Sequence, residues 1–357
     1  MRTRPAWLLA LALGVVSACG GDVHHSQIPP EPSFTVVDFG NVQLAKTDQS
    51  EIFEVTVVGA SALVIVADGG SATDIDIDLL RTPSGTDIIT ENPADANPLT
   101  GDVSPQQAGG SVAVAMVPSS ATLPLENGTY RFRLASFDAA GTRVAATVRL
   151  RAIINARDPS AVGTLRLNLF LVGAPGLSAT SSSESLALGR VLDQVERFFG
   201  QVGVRIEIAR TVDVSGDPAT RLSLLDLLDS TTDRLVPDLN LNRQSDEMDE
   251  LFALSADAGN TAVNVFFVDE FFHMPERMTA SGGQPGPPIV QGTSQSGIVA
   301  ATRGTLDEQR DEDLNALGVA IACELASYLG APPGCDTEEG FTAAQAFVVA
   351  RNPAVQD

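Results

Sequence analysis

The sequence predicts two domains, an all-β sandwich on the N-terminal side followed by an α/β domain. Three observations lead there. A chain of 357 residues is long enough for two separate cores. Residues 34–152 are a succession of short β-branched segments divided by turn signals. From residue 163 onward, strand-like and helix-like periodicities alternate, the pattern of a sheet covered by helices.

The chain begins with "MRTRPAWLLALALGVVSACGG": a basic start at Arg2 and Arg4, then a ten-residue apolar run from Trp7 to Val16. A membrane span needs about 20 apolar residues, so this run has the layout of a secretory signal instead. Its ending, "VSAC", resembles a bacterial lipobox. That resemblance implies a signal over residues 1–18 and a lipid on Cys19; the alternative is an ordinary cut near Ala18 that leaves an exposed thiol, which is disfavoured outside the cytosol. Gly20 follows, with no Asp to suggest inner-membrane retention. The expected location is therefore the bacterial cell envelope, at the outer membrane, with the membrane as a partner through the lipid. Residues 19–33 are polar and proline-containing, as suits a tether, and His24 and His25 within it are expected to be solvated.

The balance of 45 acidic against 22 basic residues gives a net charge of -23, which repels phosphate backbones and excludes nucleic acid as a partner.

In the β-sandwich domain, 34–152, the expected strands are "FTVVDFG", "EIFEVTVVG", "ALVIVADG", "DIDIDLLRTPSG", "SVAVAMVP", "GTYRFRLASF" and "RVAATVRLRAII". Asn127-Gly128 ahead of "TYRFRL" predicts a tight turn, since both residues accept positive φ. In "DIDIDLL", strict alternation would put Asp74, Asp76 and Asp78 on one face and Ile75, Ile77 and Leu79 on the other. Three such carboxylates can hold Ca²⁺, but no glycine-containing calcium loop accompanies them, so a solvated strand face is the first expectation. The "DIDIDLLRTPSG" and "NGTYRFRL" segments resemble the jelly-roll accessory domains of secreted bacterial peptidases.

In the C-terminal domain, 163–357, "TLRLNLFLVG" is a strand with Leu165, Leu167, Leu169 and Leu171 on one side. A helix capped by Ser182 or Ser183 follows, with Leu188, Val191, Leu192, Val195, Phe198 and Phe199 at helical spacing until Gly200. Then come a strand "VRIEIAR", a short helix "DEMDELFAL", a buried strand "TAVNVFFVDEFF", a Gly/Pro loop "TASGGQPGPPIVQGTSQSG", and a short strand "GIVAAT". A long helix is expected from about Leu306 to Gly330, and "FTAAQAFVVARNPAVQ" as a terminal helix.

The element order and the segment "IACELASYLGAPPG", residues 321–334, resemble the secreted metzincin-like zinc peptidases, whose helix carries His-Glu-x-x-His-x-x-Gly-x-x-His. In such a helix two histidines four apart bind one zinc ion and the glutamate activates the metal-bound water. Laid on that frame, Cys323, Ser327 and Pro333 stand at the three ligand positions, Glu324 at the base and Gly330 at the turn glycine. The resemblance thus implies a degenerate member. A thiolate at Cys323 can bind zinc, Ser327 is a poor ligand, and Pro333 offers no donor. Of the chain's three histidines only His273, beside Asp269, Glu270 and Glu276, lies in this half, and it reads as a surface imidazole. The methionine turn of the family has no counterpart, since no Met follows Met278. Ala316, Ala320, Cys323, Ser327 and Gly330 form a stripe of small residues that is expected to press on the sheet or the sandwich. Cys323 and Cys335 either bridge across the "GAPPG" turn or remain two thiols.

Together these readings describe a lipid-anchored envelope protein whose metallopeptidase-like domain has lost its ligands and which binds or scaffolds an unidentified protein or peptide. No cofactor is expected, zinc least of all, with calcium at the Asp74 strand the one metal considered. Two alternatives stand beside it: an active zinc metallopeptidase using Glu324 with an atypical metal site, and a surface adhesion protein acting through the β-sandwich.

Overall fold

The computed structural model describes residues 32–46, 51–70, 74–90, 111–138, 141–227, 246–259, 261–272, 274, 276–282, 286–332 and 340–357. The signal and tether with Cys19, His24 and His25, and also His273, Pro333 and Cys335, lie outside them.

Strands β1 (Phe34–Leu44), β2 (Phe53–Val57), β3 (Ala62–Asp68), β4 (Asp74–Arg81), β5 (Asp87–Ile89), β6 (Val112–Val117), β7 (Gly128–Phe137) and β8 (Ala146–Asn155) build two antiparallel four-stranded sheets. Their orders are β1-β8-β3-β6 and β2-β7-β4-β5. Val55, Ile65, Ile75, Ile77, Phe132, Leu134 and Leu150 from both sheets share one core, so the sheets pack face to face as a sandwich. Each segment expected to be a strand in this half is one.

The runs "ALVIVA" and "VAVAMV" do not alternate because both of their faces are buried. Leu63, Ile65, Ala113 and Ala115 point into the sandwich. Val64, Val66, Val114 and Met116 point the other way, against Val290, Val348 and Phe347 of the C-terminal half. Pro32–Asp357 accordingly forms one compact unit.

The C-terminal half opens with β9 (Gly163–Val172), α1 (Leu186–Gly200) and β10 (Val204–Val214), and continues with α2 (Asp217–Leu222), β11 (Leu224–Asp226) and α3 (Asp246–Ala253). Then follow β12 (Val263–Val268), β13 (Glu270–Phe272), β14 (Thr279–Ser281), β15 (Ile298–Ala301), α4 (Asp311–Tyr328), α5 (Ala343–Val349) and β16 (Val355–Gln356). The main sheet has the order β10-β9-β12-β15-β14, parallel except for β14, with β16 pairing antiparallel to β9. The leucines of β9 pack with Val191, Val195, Phe198 and Phe199 of α1 and with Leu317, Ile321 and Leu325 of α4. The opposite face is filled by Phe170, Phe266, Phe252 and Leu251, the first two rings stacked at 4.7 Å.

Several elements differ from expectation for physical reasons. The Asn127-Gly128 pair is no tight hairpin turn: Gly128, at φ 132, opens β7, and Asn127 Oδ1 accepts from Gly59 N at 2.8 Å. The cap of α1 is Ser185, whose hydroxyl accepts from Leu188 N, since Ser182 sits in the preceding turn. "TAVNVFFVDEFF" breaks at Asp269 into β12 and β13, and β13 leaves the main sheet to pair with β11. The long helix does not start at Leu306. A 3-10 turn covers Leu306–Glu308, Gln309 and Arg310 are extended, and α4 begins at Asp311 with Asp311, Glu312 and Asp313 against its positive dipole end. The terminal helix stops at Val349, and after Pro353 the chain ends as strand β16.

Candidate functional site

Helix α4 carries the motif, and its packing decides which way each motif residue faces. Leu314, Leu317, Gly318, Ile321, Ala322 and Leu325 are buried. A Cβ on Gly318 would lie 2.6 Å from Val191 O, so only glycine lets α1 approach this closely. At 3.6 residues per turn the small-residue stripe lies roughly opposite Gly318. Ala316 is exposed, and Ala320, Cys323, Ser327 and Gly330 are half-buried. The large side chains of α4 take the centre of the core, and of the stripe Cys323 packs against that core from its margin.

Each motif position within the described residues has a structural use. Cys323 is disulfide-bonded, so it presents no thiolate. Glu324 Oε2 accepts a 3.0 Å hydrogen bond from Thr279 Oγ1, which ties α4 to the edge strand β14. Gly330, at φ 92, ends the helix in a Schellman arrangement in which Gly330 N donates to Ser327 O at 2.8 Å and Ala331 N to Ala326 O at 3.0 Å. The next turn is fixed by Tyr328, buried, whose hydroxyl donates to Gln295 O at 2.6 Å in the β14–β15 loop. Burial without a charged partner pushes that phenol well above its ordinary value.

A zinc ion of the peptidase kind needs three protein donors. A disulfide sulfur, a serine hydroxyl and a proline do not fit that requirement. Among the described residues, no three His, Cys, Asp or Glu side chains are grouped as metal ligands.

The aspartates of β4 are not three equivalent groups on one strand face. A bulge between Ile77 and Leu79 interrupts the pairing with β7, so Leu80, not Leu79, enters the core and Asp78 is buried. Asp78 meets Arg133 Nε at 2.8 Å and Arg143 Nη2 at 2.9 Å, and the two guanidinium groups neutralise it. Asp74 and Asp76 stay half-buried and are engaged in interactions of their own. A calcium ion would have to displace both arginines from Asp78.

A small cavity of about 240 Å³ lies beside α4, lined by Met278, Ala301, Arg303, Gln309, Asp313 and Leu317. Arg303 there adopts φ 54, a conformation rare outside glycine. Asp269 holds it: its carbonyl accepts from Arg303 N at 2.6 Å and its carboxylate from Gly304 N at 2.9 Å. Asp269 thus serves a turn.

No family model matches the chain, and no curated protein matches it. Among solved structures, the chain is similar to metalloproteinase-II from Bacteroides fragilis at 10% identity and a TM-score of 0.29, with 52% of each chain covered. The alignment therefore spans about half the length of that protein. A family two carbohydrate esterase from Cellvibrio japonicus aligns at 10% identity and a TM-score of 0.15, covering 67% of this chain and 80% of the esterase. Likenesses this distant carry no argument about function, which has to be read from the residues themselves.

Proposed function

We propose that this protein is a lipid-anchored envelope protein that binds or scaffolds and does not cleave, its C-terminal half keeping a metallopeptidase-like frame in which structural roles have replaced metal binding. The observation that carries the reading is the set of uses found along α4. Cys323 is spent in a disulfide, Glu324 is a hydrogen-bond acceptor for Thr279, and Gly330 is a helix cap. A catalytic base has to face a metal-bound water, and here the carboxylate bonds a neighbouring strand. The anchor rests on "VSAC" and Cys19.

The test is metal content and peptide hydrolysis of the full chain, with Glu324→Gln beside it. Gln keeps the acceptor for Thr279, so the expected outcome is substoichiometric zinc, no cleavage of casein, and unchanged folding of the variant. One zinc per chain, together with cleavage that Glu324→Gln abolishes, would restore the active-peptidase reading.

A further inference from the structure

We propose that a groove between the sandwich loops and the end of α5 is a binding site for an extended apolar peptide that carries a carboxylate. The proposal deepens the binding reading above by naming a partner class and a site. Its test involves neither α4 nor zinc, so it can fail while that reading stands, and the reverse.

The groove holds about 510 Å³, within the ~300–1,000 Å³ of ligand sites. Pro118, Pro124 and Leu125 from the β6–β7 connection form one wall, and Phe347 and Arg351 from α5 and its end form the other. Arg157 and Asp158 border it. The Arg351 side is tied to the sandwich: buried Asn155 donates to Arg351 O at 3.0 Å, and Ser61 Oγ donates to Asn155 O at 3.1 Å. A groove fixed in this way needs little ordering when it binds.

Its charge is what sets it apart. Two arginines and one aspartate line the groove in a chain whose net charge is -23. Asp158, whose carboxylate accepts from Ser160 N at 2.9 Å and Ser160 Oγ at 2.7 Å, offsets part of the charge of Arg157, which leaves Arg351 as the arginine without an acid beside it among the described residues. Arg157 is buried; Nη1 donates to Ala350 O at 2.9 Å, and its nearest acid is the exposed Asp357 at 3.4 Å. Arg351 lies 3.7 Å over the Phe347 ring, donates Nη1 to Phe347 O, and has no acidic partner among the described residues. Burial lowers the pKa of both arginines; Asp357 and Asp158 oppose the shift at Arg157, whereas at Arg351 burial acts alone.

A guanidinium stacked on an aromatic ring keeps a planar fork of donors suited to a carboxylate. The proline and phenylalanine surfaces suit an extended or polyproline-like backbone.

The test uses the full chain and two fluorescein-labelled octapeptides of proline, leucine and glycine, one with a central aspartate and one with asparagine in its place, followed by fluorescence anisotropy. The aspartate peptide should bind about ten-fold tighter, equivalent to ~1.4 kcal/mol. Arg351→Gln should erase that difference. Ala121→Glu, at an exposed position on the wall, should weaken the aspartate peptide about ten-fold through like-charge repulsion, with the circular dichroism unchanged. Equal affinity for the two peptides, a preference that survives Arg351→Gln, or no binding of either up to about millimolar concentration would overturn the proposal.

Discussion

Replacing Asp78 tests the bulge and its ion pairs against a calcium site. Its side chain is 6% exposed and bridges Arg133 and Arg143, whose side chains are 21% and 14% exposed. Removing one partner of a buried ion pair typically costs about 3–5 kcal/mol, because a charge is left without compensation. Both arginines here reach some water, and Arg143 keeps Phe137 at 5.4 Å from its guanidinium, so Asp78→Ala should fall at the low end, about 3 kcal/mol. Asp78→Asn retains the volume and one acceptor, and should lose about 2 kcal/mol. For a unit of this size that translates to roughly 2 °C per kcal/mol, so the alanine variant should melt about 6 °C below the parent. Differential scanning calorimetry in calcium and in EGTA provides the measurement. The losses should be the same in both buffers. A parent stabilised by calcium, with that stabilisation absent from Asp78→Ala, would refute the ion-pair reasoning and make Asp78 a calcium ligand.

Three other substitutions and measurements have equally definite outcomes. Cys19→Ser should release the protein from the membrane fraction or block its processing; a variant that is processed and fractionates like the parent removes the lipoprotein assignment. Non-reduced mass spectrometry should find Cys323 linked to Cys335, a short-loop bridge worth about 2–4 kcal/mol, and two free thiols in protein taken from the envelope would sink that pairing. Gly330→Ala must place a Cβ at φ 92 and should cost about 1–2 kcal/mol in urea unfolding while leaving metal content unchanged. A null effect on stability would mean the Schellman cap is not what holds that glycine.

The candidate site was legible as spacing but not as orientation. Glu324 and Gly330 stand out in the sequence because their offsets match a known helix frame. Which way they face depends on the burial of Leu317, Ile321 and Leu325 against β9 and α1, far away in the chain. The peptide groove left no local signal at all, since its lining comes from residues 59–61, 118–125, 156–159 and 347–351.

What the sequence by itself determined is the local character of the elements. Alternation marked the half-buried strands, apolar runs marked β3, β6 and, around Asn264, β12, helical spacing marked α1, and Gly330 marked the end of α4. Those signals are intrinsic, because side-chain period and backbone freedom are properties of neighbouring residues. Only the tertiary structure decided the rest. Asp78 can be buried because two arginines 55 and 65 positions away meet it, β16 is a strand because β9 is left open at Thr164 and Leu165 short of its pairing with β12, and the halves join in a cluster where Val64 and Val114 meet Val290 and Val348. Each of these is a pairing between segments distant along the chain, and periodicity within a segment carries no record of its partner.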